Sequence, residues 1–128
     1  MREFYHRGTK ISFTESGQKL APVIVWAHGW GQDHKAFLAM AESLPQAGRH
    51  ILIDLPGFGQ SNIPKETWGT ADYADAVASF IKDQGVSKII YVGHSFGCRV
   101  GLQLAARHPD LIAGLFLMAA AGLPRKSL

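Results

Sequence analysis

Four short apolar runs alternate with three stretches whose apolar residues recur at helical spacing, and that alternation most constrains what this chain can fold into. The runs are Val23–Ala27, His50–Leu55, Lys88–Val92 and Leu115–Ala120. Each is too short for a typical buried helix, the first three carry β-branched residues, and all four read as strands, Val23–Ala27 as one covered on both faces. Between the first two, Phe37, Met40, Ala41 and Leu44 fall at i, i+3, i+4 and i+7, predicting an amphipathic helix that Pro45 and Gly48 end. Ala74, Val77, Ala78 and Ile81 mark a second helix stopped by Gly85, and residues 96–107 a third that closes before His108-Pro109. Strands alternating with helices imply a mostly parallel α/β sheet with helices on both faces. Ahead of this array, Glu3–Gly8 and Lys10–Ser16 predict an antiparallel hairpin turning at Arg7-Gly8-Thr9.

Composition narrows the class. A chain of 128 residues, 47% hydrophobic and 18% charged, can bury the core of one domain and is not built to stay disordered. Its formal charge of +3 comes from scattered basic residues, which does not suit a nucleic-acid partner. The longest apolar stretch, residues 111–123, falls short of the roughly 20 needed to span a bilayer, so no membrane partner is expected. A single cysteine, Cys98, and a polar start without an apolar signal core point to a reducing, cytoplasmic setting.

The chemistry concentrates at Gly93-His94-Ser95-Phe96-Gly97, a G-x-S-x-G pattern placed where the third run passes into the third helix. A tight strand-to-helix turn lifts the Ser95 hydroxyl to the carboxyl end of the sheet, where open α/β sheets bind ligands. Glycines two places to either side allow strand and helix to approach closely. The helix start also offers unpaired N–H groups to a developing oxyanion.

Two further motifs, Val23–Gly31 (VIVWAHGWG) and Asp54–Ser61 (DLPGFGQS), stand ahead of it in order. Together the three make the chain resemble the first half of an α/β-hydrolase, with residues 1–128 as the N-terminal part of a single domain whose cap region and C-terminal strands lie elsewhere. The resemblance implies a Ser95 nucleophile and an oxyanion hole made by the backbone N–H groups of Trp30 and Phe96, with Gly31 as fallback for Trp30. His28, Gly29, Gly31 and His94 would line the site, His28 more as an organiser of its loop than as a base, and His94 pointing away from Ser95. Dehalogenases and epoxide hydrolases of this fold resemble one another in an aspartate nucleophile. Serine therefore implies acyl transfer on a small-molecule ester, thioester or amide, or hydrolysis of an activated C–C bond.

A serine needs a base, and in this fold the chain order is Ser, acid, His. After Ser95 the sequence holds only His108 and Asp110, in the wrong order. At roughly 1.5 Å of rise per residue His108 would lie about 20 Å from Ser95. The acid and histidine are thus expected outside this chain, in the remainder of a longer hydrolase or in a C-terminal half supplied by a second polypeptide. The alternative is a non-catalytic binding or structural domain, or an inactive fragment, that keeps the elbow. No cofactor is implied, and no metal: His6, His34 and His50 lack ligand spacing, and no Cys pair accompanies them. Cys98 reads as a small buried hydrophobe.

Overall fold

In the computed structural model, residues 1–118 are described. Strands β1 (Arg2–His6) and β2 (Thr9–Gly17) are followed by β3 (Val23–Ala27), a 3-10 turn (His34–Phe37), α1 (Leu38–Glu42), β4 (Arg49–Ile53), α2 (Thr70–Asp83), β5 (Ile89–His94), α3 (Phe96–Arg107), a short 3-10 turn (Pro109–Leu111) and β6 (Ile112–Met118). They form one six-stranded sheet in the order β1-β2-β4-β3-β5-β6. β4, β3, β5 and β6 run parallel; β2 joins β4 antiparallel and carries β1 as its hairpin partner.

The hairpin is tighter than the sequence suggests. Its turn is Arg7-Gly8 alone, at φ 50° and 73°. Two successive positive φ values give the primed turn whose twist matches the flanking strands.

Alternation along the parallel strands sorts side chains onto two faces. Val23, Val25 and Ala27 join Ile51, Ile53 and Tyr91 under α2 and α3, in the larger of two core clusters. Ile24 and Trp26 join Leu52 and Val92 on the opposite face, where Phe37 and Ala41 cover them. Helix α2 buries the predicted Ala74, Val77, Ala78 and Ile81, together with Phe80. Its first turn is anchored by Asp72, whose carboxylate accepts the Gly69 N–H at 2.9 Å, a half capping box because glycine has no side chain to reciprocate.

The helix predicted over residues 37–44 is broken into a 3-10 turn and five α-helical residues. Phe37 and Ala41 are buried as the pattern requires, but Met40 and Leu44 are each 46% exposed. Asp33 accounts for the tight start, accepting the Lys35 N–H at 2.8 Å. A five-residue helix then presents too little of its stripe to bury all four. The last strand begins at Ile112, three residues earlier than predicted. The predicted end of that run, Ala119 and Ala120, lies outside the described residues. Among the described residues β6 is an edge of the sheet.

Candidate active site

Ser95 sits between β5 and α3 at φ 53° and ψ −112°. A non-glycine residue there stores of the order of 1–3 kcal/mol of backbone strain, which the surrounding contacts must offset. They are close. A Cβ added to Gly97 would meet the Ala27 carbonyl oxygen at 2.2 Å, and one on Gly93 the Gly97 carbonyl oxygen at 2.7 Å. One turn on, a Cβ at Gly101 would strike the Tyr91 ring at 2.4 Å. Three glycines thus let α3 press onto the ends of β3 and β5. The buried Tyr91 hydroxyl fastens the contact by donating to the Gly97 carbonyl at 2.6 Å, and burial pushes its ionisation well above the usual phenol range. The Ser95 N–H donates to the Met118 carbonyl at 3.2 Å. No hydrogen bond to the Ser95 hydroxyl occurs among the described residues.

The β3–α1 loop faces the elbow. Gln32 N–H donates to the Gly29 carbonyl at 3.1 Å, closing a turn with Trp30 and Gly31 at its corners. Gly31 at φ 78° supplies the positive φ that a type II turn demands in its third position. The Trp30 N–H is left without a partner among the described residues. Phe96 N–H, first in α3, has no acceptor within its helix. Gly29 lies against the nucleophile position, for a Cβ on it would meet Ser95 Cβ at 3.2 Å.

The two histidines are both hydrogen-bonded to the β3–α1 loop. His28 is 1% exposed, so it lies beneath the loop and does not line the cleft as predicted. Its Nε2 accepts the Leu55 N–H at 2.9 Å, which fixes Nδ1 as the protonated nitrogen donating to the Gly29 carbonyl at 2.7 Å. Burial holds its pKa below the ordinary value, keeping the ring neutral. His94 Nδ1 donates to Gln32 Oε1 at 3.0 Å, and the same oxygen accepts the Gly29 N–H at 2.8 Å. Gln32 thereby ties the loop to the elbow, a role no spacing in the sequence announces.

Asp54 organises the second loop. Wholly buried, it accepts the His34 N–H at 2.7 Å and His34 Nδ1 at 2.8 Å on one oxygen, and the Gln60 N–H at 3.0 Å on the other. Gly59 is required beside it, since a Cβ there would meet the carboxyl carbon at 2.4 Å. Ser61 finishes the turn by donating to the Asp54 carbonyl at 2.6 Å and accepting the Ser12 N–H at 2.8 Å. Asp33, His34 and Asp54 bring potential ligand atoms within 4.8 Å of one another. These groups already bind one another and the backbone, so the cluster serves as a loop anchor.

A cleft of about 370 Å³ opens over the elbow, lined by Trp30, Ser95, Phe96 and Arg99. Trp30 packs edge-on against Phe58 and Phe96, and Phe96 against Tyr73, so aromatic edges form one wall. Arg99 is the lining residue that the sequence reading missed. Cys98 is buried, with Sγ 3.3 Å from the Gly93 carbonyl oxygen and 3.4 Å from that of Met118. At the far end of α3, His108 Nε2 meets Asp75 at 2.8 Å, beside an Arg107–Asp75 ion pair.

The family whose pattern matches residues 22–127 is described as alpha/beta hydrolase fold. The chain belongs to that family. Among its relatives, a haloalkane dehalogenase from Bradyrhizobium diazoefficiens is 30% identical over 111 residues, 87% of this chain and 36% of the relative. A solved bacterial membrane phospholipase A superposes with a TM-score of 0.91 at 31% identity, covering 98% of this chain and 42% of its own. A thermophilic esterase from Thermogutta terrifontis does so with a TM-score of 0.87 at 26% identity, covering 98% of this chain and 48% of its own. The chain therefore spans less than half the length of each of these relatives. No helix among the described residues is long and apolar enough to cross a membrane.

Proposed function

We propose that this chain supplies the nucleophile half of a serine hydrolase. The observation that carries the reading is the conformation of Ser95: a strained, positive-φ serine whose hydroxyl has no partner among the described residues, in a cleft it shares with Trp30 and Phe96. Ser95 Oγ would attack the carbonyl carbon of an ester, thioester or amide. Its proton passes to a histidine outside residues 1–118, and the carbonyl oxygen becomes an oxyanion held by Trp30 and Phe96 N–H. Collapse of the tetrahedral intermediate expels the leaving group, which takes that proton, and water then releases the acyl group from Ser95. His108 is excluded as the base by its commitment to Asp75 at the other end of α3.

A serine at the elbow supports a reading nearer to the esterase and phospholipase among its relatives than to the haloalkane dehalogenase. The acid and histidine come from the remainder of a longer polypeptide or from a second chain that completes the sheet beyond β6. A fluorophosphonate probe tests the reading. Labelling that appears when the 128-residue chain is joined to or co-expressed with a C-terminal half, and vanishes in Ser95→Ala, is the expected result. No labelling of the completed protein would overturn it in favour of a non-catalytic binding domain.

A further inference from the structure

Among the described residues, four of the five arginines are paired with carboxylates, and the fifth lines the cleft. Arg2 and Arg49 both hold Glu15, Arg7 holds Asp72 at 3.0 Å, and Arg107 holds Asp75 at 2.7 Å. Arg99 has no carboxylate, and no hydrogen-bond partner, among the described residues. Its neighbours on α3, Gly97, Cys98, Val100 and Gly101, all turn inward and are buried, which leaves Arg99 on the outer face with Phe96 three residues before it. Four residues along the chain from Ser95, it stands about 6 Å further along the helix axis, within reach of a group attached near a carbonyl bound at the serine. The other wall of the same cleft is aromatic, with Trp30 67% exposed.

We propose that Arg99 is a specificity-determining residue that binds an anionic oxyacid group, carboxylate or phosphate, on the substrate, while Trp30 and Phe96 take its apolar part. The planar guanidinium suits either oxyacid, since both accept two parallel N–H bonds. An amphiphilic anionic ester fits this arrangement better than a neutral one. The inference rests on the serine-hydrolase reading for what happens at the carbonyl, but the charge recognition can be tested without turnover.

The probe is N-(4-nitrophenyl)glutaramic acid against its methyl ester, two ligands that differ by one charge, with binding followed by quenching of tryptophan fluorescence in the full chain. The acid is expected to bind about three- to fivefold tighter, the scale of one charge-assisted contact in a half-open cleft. Arg99→Gln should abolish the preference while leaving the ester's affinity and the thermal melt unchanged, Arg99→Lys should keep part of it, and Trp30→Phe should lose most of the quench. Benzoate and phenyl phosphate as competitors then distinguish carboxylate from phosphate by their ranking. Equal affinities for acid and ester, a preference that survives Arg99→Gln, or no competition by either anion would overturn the proposal. Fluorophosphonate labelling of Ser95 separates the two readings: labelling without charge preference removes only the role of Arg99, and charge preference without labelling removes only the serine nucleophile.

Discussion

The two faces of the sheet are built from the same strands yet protected very differently. On one face α2 and α3 lie over Phe13, Ile51, Ile53 and Tyr91, and Phe80 is fully buried between the edges of Phe4 and Phe13. On the other, a 3-10 turn and five helical residues place Phe37 and Ala41 over Trp26 and leave the rest thinly covered. Register puts Phe116 beside Val92 on that second face, where it is 60% exposed. The well-covered face carries the packing that forces Ser95 into its strained turn, because Gly97, Gly101 and Tyr91 all belong to the α3 contact. The thin face reaches the elbow through Phe37, whose ring meets His94 edge-on at 6.4 Å between centroids. The elbow is thus shaped chiefly by the face that α2 and α3 cover.

Substitutions can break or sharpen that contrast. Phe80→Ala, opening a closed cavity, is expected to cost about 4 kcal/mol, against about 2 kcal/mol for Phe37→Ala, where solvent and a short helix can settle into the space. Chemical denaturation of both variants measures the pair, and equal losses would show the thin face to be as well packed as the other. A smaller effect tests the edge of the covered side. Asp75 is held down to about 2, from 3.8, mainly by its hydrogen bond from Arg107, opposed by burial and helped by His108. A carboxyl whose folded pKa is depressed gives stability that is present above pH 3.8 and disappears as the pH falls towards 2. The pair is partly exposed, so Asp75→Asn should cost less than about 1 kcal/mol at neutral pH, and the difference from wild type should shrink across that window. The smallest change belongs to the open face. Phe116→Ser should alter stability by less than about 0.5 kcal/mol while reducing self-association in sedimentation runs, since it removes apolar surface next to a strand edge that is unpaired among the described residues. A large loss of stability would mean that Phe116 is packed in solution.

The parallel array and the elbow were legible because both are written in local pattern: β-branched runs, helical stripes and glycines at fixed offsets. The bounds of α3 follow from its stripe and from Pro109, and the elbow from Gly93 and Gly97. What escaped notice depends on partners distant in sequence. Gln32 acts through His94, 62 residues away. His108 finds Asp75 across 33 residues. The exposure of Met40 and Leu44 is set by what does or does not lie over the sheet, which a helical period cannot report. Arg99 escaped for a similar reason, since its place in the cleft lining and the absence of a carboxylate beside it among the described residues are set by the fold.

The crowding around α3 has a consequence at the level of the gene. Any single-nucleotide change in a glycine codon that alters the residue adds at least a Cβ, and at Gly93 and Gly97 that atom would overlap main-chain atoms that no rotamer change can move aside. Those codons have no tolerable missense neighbours, whereas the Gly8 and Gly69 codons, with nothing within 4 Å of an added Cβ, meet no such collision. A saturation library of this chain would therefore show the strand-to-helix junction among its depleted positions, together with Gly17 and Gly48, where an added Cβ also meets main-chain atoms.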